Sequence, residues 1–112
     1  MISKKVIVPH RVRSVNGSFA FLPHRFLGDG FLASLGGHEL LLYFFLVMAS
    51  DSNGLSYYSN RKICALLKLS YEEYLDARDR LIARDLIAFD DILFQVLELP
   101  DKPVRDLPEK CC

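Results

Sequence analysis

The pattern of apolar and polar positions divides the chain into a β-like start, a strongly apolar centre and an amphipathic second half. Val12-Arg13-Ser14-Val15-Asn16-Gly17-Ser18-Phe19-Ala20-Phe21 reads as two strand-like runs about an Asn-Gly pair. That pair suits a two-residue turn with positive φ at both central positions, so the segment predicts a β-hairpin. Pairing Val15 with Ser18 puts Val12, Phe19 and Phe21 on one face and Arg11 and Arg13 on the other. Pro9 directs the preceding residues to an edge strand or an extended arm. From Pro23 to Leu35 a helical pattern is broken by Gly28 and Gly30, and Gly36-Gly37 is a stop.

Glu39 to Ser50 predicts a helix that is apolar all round between Leu40 and Met48. Such a helix must be surrounded. It is either the central core helix or, on the side of Leu42, Phe45 and Val47, part of a homodimer interface. Its longest apolar run, Leu40 to Ala49, falls well short of the roughly 20 residues a membrane-spanning helix needs.

The second half carries the clearest local signals. Ser56-Tyr57-Tyr58 predicts a short strand, Ser59 caps a helix from Asn60 to Leu67, and Lys68-Leu69 turns the chain. Ser70-Tyr71-Glu72-Glu73 fits a capping box that opens a second helix, reaching to about Asp85. Leu86-Ile87-Ala88-Phe89 and Ile92-Leu93-Phe94-Gln95-Val96-Leu97 predict two strands joined at Asp90-Asp91. Pro100, Pro103 and Pro108 mark a polar tail.

This order, short strand, helix, tight turn, capped helix and hairpin, resembles the winged helix-turn-helix superfamily. It is most similar to the small winged-helix domains of bacterial replication-initiation and mobile-element proteins. The residues that carry the resemblance are Asn60-Arg61-Lys62-Ile63-Cys64-Ala65-Leu66-Leu67-Lys68-Leu69-Ser70 and Ala77-Arg78-Asp79-Arg80-Leu81-Ile82-Ala83-Arg84-Asp85-Leu86-Ile87. The expected fold is therefore α+β, a winged helix-turn-helix with an N-terminal β-hairpin. Residues 1–22 form a basic arm and hairpin, 23–99 the winged-helix domain, and 100–112 a flexible tail.

The resemblance implies that the second motif helix enters the DNA major groove and the wing touches the backbone. The charges point elsewhere. At about 100° per residue, Glu72, Glu73, Asp76, Asp79, Arg80 and Ala83 share one outward arc, and the wing tip Asp90-Asp91 is also acidic. Carboxylates do not neutralise phosphates, the term that dominates affinity. The arc is a solvated face or a contact for a protein partner. Arg78, at the edge of the apolar arc, is expected to pack its stem and pair with a carboxylate such as Asp85.

Composition sharpens this picture. Fourteen basic residues balance fourteen acidic ones, yet residues 1–30 carry a net +4, residues 31–70 +1 and residues 71–112 −5. Phosphate contacts are thus expected from Lys4, Lys5, Arg11 and Arg13 in the arm and from Asn60, Arg61, Lys62 and Lys68 in the first motif helix. Ser70 and Tyr71 stand nearest the base edges. Half the residues are apolar (51%), which argues against disorder.

Three cysteines, Cys64, Cys111 and Cys112, form no Cys-x-x-Cys spacing, and His10, His24 and His38 are scattered. Gly28-x-Gly30 lacks the later glycine of a dinucleotide loop, and there is no nucleophile elbow or phosphate-loop lysine. The expectation is a non-enzyme with no metal and no cofactor. No signal-peptide pattern opens the chain, which suggests a cytoplasmic protein. The expected partners are DNA, a second copy of the chain, and a protein reached through the acidic helix and wing.

Overall fold

The structure, a computed structural model, describes residues 4, 5, 7–11, 13 and 19–103. It is mixed α+β: five α-helices and one three-stranded antiparallel sheet among the described residues. The helices are α1 (Arg25–Gly28), α2 (Phe31–Ser34), α3 (Gly37–Ala49), α4 (Asn60–Leu67) and α5 (Tyr71–Ala83). The strands are β1 (Leu55–Ser56), β2 (Ile87–Phe89) and β3 (Phe94–Val96), arranged β1-β3-β2. Leu55 lies opposite Gln95, and Phe89 opposite Phe94.

Local chemistry accounts for these boundaries. Gly30, at φ 91°, separates α1 from α2 in a conformation that favours glycine. Ser59 Oγ accepts from the Lys62 amide (3.2 Å) and starts α4. Lys68, in the left-handed region at φ 58°, ends it. Ser70 and Glu73 form both bonds of the capping box, at 3.0 and 2.9 Å. Between β2 and β3, Asp90 Oδ1 accepts from the amides of Ile92 (2.9 Å) and Leu93 (2.7 Å), while Asp91 takes φ 76°.

The Ser70 amide, donating to Glu73 Oε1, holds the Glu73 carboxyl below its usual value, helped by His38, whose Nε2 lies 3.9 Å away. The Leu93 and Ile92 amides do the same for Asp90. A carboxylate whose folded value is depressed contributes stability above its unfolded value and loses it as the pH falls through the folded one. Stability is therefore expected to hold from neutrality to about pH 5 and to decline below the ordinary carboxylate range. Glu73→Gln keeps the box but cannot titrate, so it should flatten part of that decline in urea melts taken from pH 7 to 3.

Helix α3 is the centre of the core. Its Leu42, Tyr43, Leu46 and Val47 are buried against Tyr74, Ala77 and Leu81 of α5, Phe94 of the sheet and the aromatic pair of α1 and α2. Phe26 stacks on Tyr43 with ring centroids 5.1 Å apart. The homodimer face expected at Leu42, Phe45 and Val47 is thereby corrected. The chain covers Leu42 (0% exposed) and Val47 (9%) itself, and Phe45 packs edge-on against Tyr58. What α3 leaves open is the stripe Leu41, Phe44 and Met48, at helical spacing.

The expected N-terminal hairpin turns at Asn16-Gly17, which lies outside the described residues. Pro9–Arg11 is a single 3-10 turn closed by the Arg11 amide on the Val8 carbonyl (3.1 Å), a geometry that the fixed φ of proline permits. Phe19 and Phe21 pair with no described strand and are 72% and 76% exposed, so they form no buried face.

Candidate nucleic-acid interface

Helix α4 presents a cationic outer face. Ile63 is its buried anchor, while Arg61, Lys62, Ala65, Leu66 and Lys68 are exposed and no acidic residue occurs in the helix. Among the described residues, Arg61, Lys62 and Lys68 form no ion pair. Arg61 and Lys62 lie in the first turn of α4, and Lys68 is its left-handed C-cap. Asn60 is partly committed inward, because its Oδ1 accepts from the Tyr74 hydroxyl at 2.6 Å, leaving its amide hydrogens as donors.

The guanidiniums of α5 are spent within the chain. Arg78 lies over the rings of Phe89 (5.0 Å) and Tyr74 (5.8 Å) and donates to Asp79 Oδ1 (3.2 Å). Its carboxylate partner is Asp79 rather than the expected Asp85, which sits past the helix end at φ 63°. Arg80 donates to Asp76 Oδ2 at 2.9 Å and reaches Glu39 Oε2 at 3.5 Å. Arg84 Nε lies 3.2 Å from Glu39 Oε1. Glu39 is buried at 5% exposure, so α3 and α5 are tied by an acid with two arginines around it.

These pairs change the acidic arc. Asp76 and Asp79 are held by Arg80 and Arg78, and Glu73 is engaged in its cap. Glu72 is left exposed, with no cation within ion-pairing distance among the described residues. The acidity of the β2–β3 turn has a local cause, since Asp90 builds it. Residues 87–97, which hold β2, β3 and the turn between them, contain no basic side chain, so they offer a phosphate nothing to pair with.

Lys4, Lys5, Arg11 and Arg13 of the arm are exposed, and the Pro9–Arg11 turn buries no residue. No hydrogen bond or ion pair among the described residues joins this arm to α4. Arg25, also part of the basic N-terminal segment, is structural. It pairs with Asp29 at 3.0 Å, covers the Phe31 ring, and donates to the carbonyls of Leu99, Pro100 and Asp101. Ser70 has its oxygen in the capping box, and Tyr71 opens α5 at 56% exposure.

Tyr57 was not among the residues singled out by sequence, yet it is 67% exposed two residues before the α4 cap. The signal was present in the pair Tyr57-Tyr58, because only one of two adjacent extended residues faces the core. An open cavity of about 820 Å³ lies between Phe19-Phe21, the turn at Asp51–Gly54 and the segment from Gln95 to Leu99. Its Arg25 and Asp51 are both engaged in internal hydrogen bonds. Among the described residues no group of three or more His, Cys, Asp or Glu is placed to hold a metal ion. Among the described residues no helix is long and apolar enough to cross a membrane. Comparison of the chain with protein-family models, curated proteins and solved structures finds no match in any of the three.

Proposed function

We propose that this chain is a winged helix-turn-helix domain that binds nucleic acid through the outer face of α4 and the basic arm, in a regulatory or initiating role on DNA. The order α3-β1-α4-α5-β2-β3, with β1 added beside β3, supports the winged-helix reading. The observation that carries the binding mode is the partition of cations. The three arginines of α5 and its C-cap are held by internal partners, whereas Arg61, Lys62 and Lys68 are exposed and form no ion pair among the described residues. Phosphate neutralisation needs available charge, and α4 is where the folded domain has it.

Fluorescence anisotropy on labelled DNA tests this. Four or five phosphate contacts give a log-log salt slope of about −4 on a duplex. Arg61→Ala with Lys62→Ala should weaken binding for every sequence and flatten the slope by about 2. No affinity at low salt would end the proposal.

A second reading, an interaction or dimerisation module that binds no DNA, is favoured by the exposed stripe Leu41, Phe44 and Met48. Partial neutralisation of the acidic arc moves such a contact from α5 to α3. Light scattering in reductant giving a two-chain mass that Met48→Glu returns to one, together with no DNA affinity, is the result this reading requires.

A further inference from the structure

We infer that the nucleic acid recognised by the α4 surface is single-stranded, with Tyr57 and Tyr71 as stacking platforms for unpaired bases. This rests on the proposed role of α4 and names its ligand.

Two tyrosine pairs border α4, and each is split between core and solvent. Tyr58 packs edge-on against Phe45 (5.1 Å), and Tyr74 is fully buried with its hydroxyl on Asn60. Their companions Tyr57 and Tyr71 are 67% and 56% exposed. Tyr57 precedes the Ser59 cap of α4 and Tyr71 follows the Lys68–Ser70 turn. The Tyr71 ring is 6.3 Å from that of Tyr74, which reaches back to the first residue of α4. Two accessible rings therefore lie just before and just after α4 in the chain, and α4 with its C-cap carries the exposed Arg61, Lys62 and Lys68 and no acid. Cations that track a backbone beside aromatic rings that take bases are the two parts of a single-strand site.

The acidic groups argue against a duplex. Duplex DNA is stiff over roughly 150 base pairs, so bending it locally away from a like charge costs a deformation energy that a flexible single strand does not incur. Seating α5 in its major groove would bring Glu72 and the wing-tip Asp90 and Asp91 toward phosphates, with no cation on the wing to offset them. A single strand can follow α4 alone. Its bases are unpaired and every base offers a π face, so no groove readout is needed.

The test uses the full chain in reductant, a thymidine oligonucleotide of about 15 nucleotides and a duplex of similar length, compared by anisotropy at one salt concentration. The chain has no tryptophan, so its intrinsic emission is that of tyrosine and reports stacking directly. The single strand should bind about tenfold or more tightly than the duplex and quench tyrosine emission. Tyr57→Leu with Tyr71→Leu should lose about tenfold in single-strand affinity for each ring removed. Tyr57→Phe with Tyr71→Phe should keep it, because the rings remain. Preference for the duplex, or undiminished affinity of the leucine pair with an unchanged circular dichroism spectrum, overturns this inference and leaves the α4 interface standing. Binding to neither nucleic acid overturns both. The wild-type preference and quenching need no variant to fold.

Discussion

Replacing Glu39 by alanine is expected to remove about 3–5 kcal/mol of stability, the range for breaking a buried ion pair by deleting one partner. The Glu39 side chain is 7% exposed and faces Arg84 at 3.2 Å and Arg80 at 3.5 Å, whose side chains are 11% and 23% exposed. Alanine leaves two guanidiniums partly buried beside the core without their shared anion. A domain of this size has about 5–15 kcal/mol in all, so the loss is a large fraction of it. The urea midpoint should fall by about 2 M at an ordinary slope. Glu39→Gln keeps the shape but not the charge and should fall between wild type and alanine. A loss under about 1 kcal/mol for Glu39→Ala would mean that solvent screens this cluster as it screens surface pairs.

Gly54→Ala comes next, with an expected loss of about 2–3 kcal/mol from a left-handed backbone and a steric conflict together. Gly54 has φ +81°, and a Cβ built on it would meet the Val96 carbonyl oxygen at 2.7 Å. The turn around it is closed by its neighbours. Asp51 Oδ1 accepts from Asn53 (2.8 Å) and Leu55 (3.0 Å), and the Gly54 carbonyl accepts from the Val96 amide at 2.8 Å. The added methyl has no flexible side chain to displace, only the backbone of β3. It should pull β1 off the sheet edge and shift the thermal midpoint down. Gly37→Ala is the control. Nothing lies within 4 Å of its Cβ position and its backbone is helical, so it should be neutral or stabilising by a few tenths of a kcal/mol.

Much of the fold was legible because its signals are local. Ser59 and the Ser70–Glu73 box mark helix starts by bonds that close within three residues, and Asp90-Asp91 marks a turn in the same way. The bounds of α4 agree with its sequence pattern, and α5 ends at Ala83, two residues before the expected Asp85. The first strand came out shifted, at Leu55–Ser56 rather than Ser56–Tyr58, because its register is set by pairing with Gln95 and Phe94, far along the chain. The α3 face was misassigned for a similar reason. An all-apolar helix has no polar stripe to say which side meets solvent, so only the packing of α1, α2, α5 and the sheet could choose Leu41, Phe44 and Met48.

The sequence by itself determined the order of elements, their caps and turns, and the separation of a basic first part from an acidic second part. Those properties depend on hydrogen bonds and spacings within a few residues, or on counting. Only the tertiary structure decided which charges remain available. Arg80 and Arg84 meet a glutamate more than 40 positions away, Arg25 closes on carbonyls 74–76 positions away, and Arg78 is covered by two rings. Among the described residues Arg61, Lys62 and Lys68 form no such pair. An ion pair needs two side chains within about 4 Å. Residues this far apart in the chain come that close only when the helices are packed, and the fold thereby pairs the arginines of α5 while Arg61, Lys62 and Lys68 stay exposed.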